Sequence, residues 1–337
     1  MIPRGPRYLR GRRRRRRDRV AFLTAVALIA AVGVTTTLIL TGHRAPISFS
    51  LVRGATQAPK AAPVDGFGFS GYWLATHGQP ELPIHGRAAL LVDLDAKQVL
   101  WQRDPETPRA PASLTKLMTA MVAVDDAGSL DREVTVTKEA TQVVPTVMGL
   151  TPGERLTVRE LLAGLLLGSG NDAAEALAQG IVPRDRFIRQ MNLKARAIGL
   201  TASHFVNPSG LDADGHVMSA QDLVHEAAYL EANYPQVAAI AATRDIAIAA
   251  TVDHKAFYPH NLNRMLWTYP GATGLKTGLT DNAGGCWLAT ASRGGRHLIV
   301  VVLNATGQSA TDAATLLDYG FSVHPQRGFG PWASSPS

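Results

Sequence analysis

Apolar and polar positions divide this chain into one long uncharged run, one stretch without period, and a segment where helix and strand periods alternate. Residues 20–40 contain no charged side chain and are rich in Ala, Val, Leu and Ile. As a helix this run would be roughly 31 Å long, the thickness of a bilayer's hydrocarbon core, which predicts a transmembrane helix or uncleaved signal-anchor over 20–41. Residues 42–86 are dominated by Gly, Pro, Ala and Ser without sustained periodicity. They predict a linker in which Phe67, Phe69, Tyr72 and Trp73 can pack locally.

The folded domain is predicted over 87–322, followed by a short tail over 323–337. Its first elements are strands at 89–92 and 99–101 around a turn at Asp95-Ala96-Lys97. An apolar helix follows at 112–127, apolar on several faces and therefore buried. A second helical block at 158–167 is interrupted by Gly168-Ser169-Gly170-Asn171 and resumes over 172–179. Further helices are predicted at 184–198, ending at Gly199 as a C-cap, and at 222–232. The pattern then returns to strands at 274–277, 286–292 and 297–304, the last two joined by the two-glycine turn Arg293-Gly294-Gly295-Arg296. A closing helix covers 311–319. Strands at both ends with helices between them predict an α/β (α+β) fold, an antiparallel sheet packed with helices and carrying an inserted helical lobe.

Charge changes the picture at one end only. The formal net charge is +7, but residues 1–19 hold ten arginines against one acid, which leaves 24 basic and 26 acidic side chains elsewhere. The basic excess is a terminal segment and not a binding face, so nucleic acid is not expected as a partner. Placed before an apolar helix, the arginines would stay cytoplasmic and everything after residue 41 would face outward. The alternative is a cleaved signal peptide, but its apolar core usually spans about 7–15 residues before a small-residue site, and His43-Arg44-Ala45-Pro46 offers none. Either way the domain is exported. Cys286 is the only cysteine, so no intramolecular disulfide is available, and its apolar surroundings suit a core residue.

Three short motifs carry candidate chemistry. Ser113-Leu114-Thr115-Lys116 opens the buried helix, where residues three apart share a face and a hydroxyl can meet an amine. Serine becomes a nucleophile only with a base, and lysine serves as one only when desolvation or a neighbouring cation lowers its pKa. Such a Ser-x-x-Lys arises roughly once per chain of this length by chance, so alone it is weak. Ser169-Gly170-Asn171 is either a plain loop or one presenting a hydroxyl and a carboxamide beside Lys116. Lys276-Thr277-Gly278 lies on a predicted strand, whose edge could pair with an extended peptide while Gly278 permits close approach. The stretch Gly271-Ala272-Thr273-Gly274-Leu275-Lys276-Thr277 fails as a phosphate loop because Leu275 separates Gly274 from Lys276. No HExxH occurs and no histidine triplet has ligand spacing, so no metal is expected. Asp212-Ala213-Asp214-Gly215 lacks the later acidic ligand of a calcium loop and reads as a turn.

In this order, Ser-x-x-Lys, Ser-x-Asn and Lys-Thr-Gly form the signature of penicillin-binding proteins and class A β-lactamases. Over about 87–319 the sequence resembles the low-molecular-mass, serine-type D-alanyl-D-alanine carboxypeptidases. The resemblance rests on Pro111-Ala112-Ser113-Leu114-Thr115-Lys116-Leu117-Met118-Thr119, Gly168-Ser169-Gly170-Asn171-Asp172-Ala173-Ala174, Phe205-Val206-Asn207-Pro208-Ser209-Gly210-Leu211-Asp212 and Gly274-Leu275-Lys276-Thr277-Gly278. It implies a β-lactamase/transpeptidase-like fold and removal of the terminal D-alanine from peptidoglycan stem pentapeptides, a step in cell-wall maintenance and cell shape. It implies Ser113 as nucleophile, Lys116 as its general base, Ser169 as proton relay and Asn171 as the group orienting Lys116 and the substrate amide. It further implies Lys276 as electrostatic tuner, Thr277 as carboxylate ligand, Gly278 for close approach, and the N–H groups of Ser113 and Leu279 as oxyanion hole. No cofactor is required, and β-lactam antibiotics are implied as covalent inhibitors. The turn at 95–97 lacks the glycine common in that family. Relatives often carry a second β domain and a C-terminal amphipathic anchor, for which this chain leaves no room, so the N-terminal helix is expected to hold it at the cell membrane. The alternatives are a class A-like β-lactamase, a D,D-endopeptidase or a non-catalytic wall-binding protein. The first lacks a Glu-x-x-x-Asn between Asn171 and Lys276, and the last is disfavoured by intact Ser113, Lys116 and Lys276.

Overall fold

The structure, a computed structural model, describes residues 68–325. The arginine-rich segment, the predicted membrane helix, most of the linker and most of the tail lie outside the described residues. No helix among the described residues is long and apolar enough to cross a membrane.

The chain enters through helix α1 (Tyr72–His77), then strands β1 (Ala88–Asp93) and β2 (Gln98–Arg103). A 3-10 turn (Ala112–Thr115) leads into α2 (Lys116–Ala127). A small hairpin of β3 (Glu133–Thr135) and β4 (Arg155–Thr157) precedes α3 (Val158–Leu166), α4 (Asn171–Gly180) and α5 (Arg184–Ala197). Then come α6 (Ala220–Asn233), α7 (Pro235–Ala242) and the short α8 (Met265–Thr268). The chain closes with β5 (Ala272–Thr280), β6 (Gly284–Arg293), β7 (Arg296–Ala305) and α9 (Ser309–Ser322).

The sheet runs β2-β1-β7-β6-β5 with antiparallel pairing throughout. β1 therefore pairs with β7, from Ala88 opposite Leu303 to Asp93 opposite Leu298, so segments at opposite ends of the domain close it. All six residues of β1 are buried, because both faces of the sheet are covered. One face, with Leu90 and Val92, joins the core of the helical lobe. The other, with Leu91, packs beneath Leu316 and Leu317 of α9. Gly294 and Gly295 both take positive φ, 57° and 76°, as the two-residue β6–β7 turn requires.

The expected sheet, lobe and main helices are present, with three differences. The predicted helix over 112–127 begins as a 3-10 turn, and the α-helix starts only at Lys116. The elements α1, β3, β4, α7 and α8 are too short to leave a readable period in the sequence. The domain also begins before Arg87. Ser70 pairs with the outer edge of β2, Ser70 N–H donating to Lys97 O and Val99 N–H to Ser70 O. Phe69, Leu82 and Ile84 are buried. Trp101 Nε1–H donates to Pro80 O, and the buried Asp312 carboxylate accepts from the N–H groups of His85 and Gly86. The linker predicted to end at residue 86 is, from Gly68 onward, part of the fold; its prolines hide packing that no periodicity announces.

A chain truncated to begin at Arg87 is expected to melt roughly 10 °C or more below one beginning at Gly68, since each buried apolar side chain contributes about 1.5–3 kcal/mol. Thermal denaturation of the two chains measures this.

Candidate active site

The Ser113 side chain projects from the 3-10 turn where the sheet meets the helical lobe. A 3-10 turn eclipses positions i and i+3, which brings the Lys116 amine over the Ser113 hydroxyl, Nζ lying 2.8 Å from Oγ. Every residue from Lys116 to Ala123 is buried, and Lys116 itself is fully inaccessible. Two further contacts surround the amine. Asn171 Oδ1 accepts at 2.8 Å and the Ser209 carbonyl at 2.6 Å. Asn171 cannot present its other end, because its Nδ2 donates to Val144 O at 2.8 Å. Burial holds the Lys116 pKa well below the ordinary lysine value. Repulsion from Lys276 lowers it further, and the Asp172 carboxylate opposes both weakly.

A neutral amine has two protons and one lone pair. Asn171 Oδ1 and Ser209 O can only accept, so they take both protons. The lone pair is left facing the Ser113 hydroxyl, which donates to it. A serine hydroxyl aimed at an unprotonated amine in a dry site is an activated nucleophile.

The other predicted residues gather around this pair. Asn171 is the first residue of α4, and Ser169 lies in the break before it, buried, at φ +57°, a conformation disfavoured for a residue with a Cβ. Thr146 Oγ1–H donates to the Ser169 carbonyl at 2.7 Å, while the Ser169 hydroxyl makes no hydrogen bond among the described residues. Strand β5 passes the Ser113 turn so closely that a Cβ on Gly278 would sit 2.9 Å from Ser113 N and 2.8 Å from the Ala112 Cβ. Gly278 thus sets the approach of strand and turn. Lys276 is buried on the same strand, donates to Thr277 O at 2.9 Å, and has its pKa lowered to about 7 by desolvation. Leu279 is 76% exposed beside it, and β5 is an edge strand whose outer side carries no strand partner among the described residues.

A family model described as D-alanyl-D-alanine carboxypeptidase matches residues 75–307. The chain belongs to this family of serine peptidases. It is 34% identical over 255 residues to the D-alanyl-D-alanine carboxypeptidase DacF of Bacillus subtilis, a match covering 73% of this chain and 65% of that protein. It is 38% identical over 260 residues to DacB2 of Mycobacterium tuberculosis, covering 72% and 84%. The crystal structure of the Streptomyces K15 DD-transpeptidase superposes with a TM-score of 0.67 at 29% identity, over 72% of this chain and 99% of that one. The fold is that of the penicillin-binding D,D-peptidases.

Several residues at the site lie within the quoted stretches but received no role from the sequence. The Ser209 carbonyl is one, since a backbone acceptor cannot be read from a side-chain motif. Asp172 is another. Its buried carboxylate accepts from the N–H groups of Met148, Ala173, Gly149 and Leu150 at 2.7–2.9 Å, which fixes the 144–150 loop whose Val144 carbonyl orients Asn171. Asp212 ties the neighbouring loop to β5, accepting from Thr280 Oγ1 and Asn282 N. The aspartate of Asp212-Ala213-Asp214-Gly215, read as a plain turn, therefore anchors the strand that lines the site.

Replacing Lys276 by alanine removes the cation that disfavours a proton on Lys116. The Lys116 titration midpoint is then expected to move to higher pH, and the acid limb of acylation with it, whereas Lys276→Arg keeps the charge and a low midpoint. An NMR titration of labelled lysine side chains, alongside the pH dependence of penicillin acylation, reads this shift.

Proposed function

We propose that the protein is a serine D,D-carboxypeptidase that removes the terminal D-alanine of peptidoglycan stem pentapeptides. The observation that carries this reading is the Lys116 amine, buried, denied a carboxylate hydrogen bond and 2.8 Å from Ser113 Oγ. Ser113 Oγ attacks the carbonyl carbon between the two terminal D-alanines as its proton passes to Lys116. The N–H groups of Ser113 and Leu279 hold the oxyanion; Gly278 supports this by bringing the strand against Ser113 N. As the C–N bond breaks, Ser169 passes a proton from Lys116 to the departing D-alanine amine, and Asn171 holds both Lys116 and the substrate amide. Thr277 and the Lys276 cation take the terminal carboxylate. Water then attacks the Ser113 ester, giving up a proton to Lys116, which passes it to Ser113 Oγ as the shortened peptide leaves.

A β-lactam amide enters the same attack and leaves the ring-opened acyl group on Ser113, which makes these antibiotics covalent inhibitors. No cofactor takes part in the sequence of steps. The ten arginines before an uncharged apolar run support retention at the cell membrane, with the catalytic domain on the outer side. The similarity to a DD-transpeptidase favours one second reading, transfer of the acyl group to an amine in place of water.

The deciding experiment measures D-alanine release from a muropeptide pentapeptide by the full-length protein beside its Ser113→Ala variant. Release by the wild type alone is expected, with loss of at least about 10⁴-fold in the variant, the order seen when a catalytic nucleophile is removed. Absence of release by folded wild-type protein that still acylates with penicillin would transfer the assignment to the transpeptidase reading, tested with an added amine acceptor.

A further inference from the structure

Ala112, immediately before Ser113, is fully buried and held at φ +50°. Left-handed backbone is disfavoured for a residue with a Cβ, so its surroundings must hold it there. Thr115 Oγ1–H donates to the Ala112 carbonyl at 2.9 Å, and the same oxygen lies 2.8 Å from His216 Nε2, 101 positions along the chain. A hydroxyl has one proton, already given to Ala112, so toward the imidazole Thr115 accepts and Nε2–H donates. The other ring nitrogen gives the same answer independently. Val206 N–H donates to His216 Nδ1 at 3.0 Å, so Nδ1 carries no proton. The ring is the neutral Nε2–H tautomer with both nitrogens used.

His216 is 3% exposed and packs edge-on against Phe205, ring centroids 5.8 Å apart. Burial lowers its pKa to about 4, aided by repulsion from His204 and opposed by Asp212, so the neutral form persists at working pH.

The two partners of the ring belong to the two segments that define the surroundings of Lys116. Thr115 is the residue before it in the nucleophile turn. Val206 opens the segment whose Pro208 carbonyl accepts from Thr119 Oγ1 at 2.6 Å and whose Ser209 carbonyl accepts from Lys116. The same segment presses Gly210 against the turn, where a Cβ would lie 1.9 Å from Ala112 O. We propose that His216 is a positioning residue for acylation, tying the Ser113 turn to the 206–210 segment and so fixing the direction of the Lys116 lone pair. The ring touches neither substrate nor reacting atoms. The proposal rests on the reading of Ser113 as nucleophile and Lys116 as its base.

The test follows acylation of the full-length protein by a fluorescent penicillin, resolving the acylation rate constant from the dissociation constant of the preceding non-covalent complex. Acylation of wild type and none of Ser113→Ala establishes the underlying reading separately. His216→Gln, which can keep an N–H donor toward Thr115, is expected to retain the rate constant within about threefold, whereas His216→Phe and Thr115→Val each lose about tenfold or more with dissociation constants nearly unchanged. The double variant His216→Phe/Thr115→Val is expected to lose no more than the worse single one, because both break one link. Thr115→Val reads that link even should removal of the imidazole unfold the chain. A His216→Phe or Thr115→Val variant that acylates within about threefold of wild type overturns the proposal. So does an additive loss in the double variant, or an equal loss for glutamine and phenylalanine that follows a fall in melting temperature, which would leave the ring a packing element.

Discussion

A lysine amine sealed from water with only neutral acceptors around it governs this structure. An ammonium in that position would forfeit its hydration without gaining a carboxylate hydrogen bond, at a cost of several kcal/mol. The amine therefore favours the neutral state, and in that state Asn171 Oδ1 and Ser209 O leave it one direction in which to act, toward Ser113. The three contacts come from three segments of the chain: the 3-10 turn, the start of α4 and the loop before α6. Much of the architecture serves to hold those segments together. The apolar length of α2 keeps water away, the Asp172 carboxylate fixes the loop that orients Asn171, and Asp212 clips the third segment to β5.

The site also gathers strained backbone. Ala112 and Ser169 both take positive φ without being glycine, each flanking or belonging to a motif of the reaction centre. Strain of about 1–3 kcal/mol per residue persists only where neighbouring contacts over-determine it. Here those contacts are visible. Thr115 and Gly210 hold the Ala112 carbonyl, and Thr146 holds that of Ser169. Sheet and helical lobe meet along this line, with Gly278 letting the edge strand lie directly against the Ser113 turn. The edge strand and the helical lobe thus lie against the same Ser113 turn.

Membership of the D-alanyl-D-alanine carboxypeptidase family agrees with this geometry, because attack on the substrate asks for little beyond an activated serine, an oxyanion site and a place for a carboxylate. Relatives bearing this fold are named both carboxypeptidase and transpeptidase. The acyl-enzyme is common to both chemistries, which divide at its second step, where either water or an amine reaches the ester.

The sequence by itself determined the sheet strands, the main helices of the lobe and the motif residues that the fold gathers around Lys116. Hydrophobic period is a local property, and Ser113, Lys116, Ser169, Asn171 and Lys276 sit in motifs short enough to read directly. It did not determine where the domain begins, since Phe69 is buried against the lobe, stacked on His225 of α6, and Leu82 and Ile84 among residues of β2 and α9, not by any pattern of their own. Nor could it disclose the 3-10 turn that carries Ser113 into α2, the Ser209 carbonyl at Lys116 or the His216 imidazole behind the turn. Those features depend on desolvation and on hydrogen bonds between residues far apart in the chain, and such contacts exist only once the lobe has closed onto the sheet. The motif named the serine and the lysine; the folded structure decided how deeply the lysine's amine is buried and which acceptors surround it.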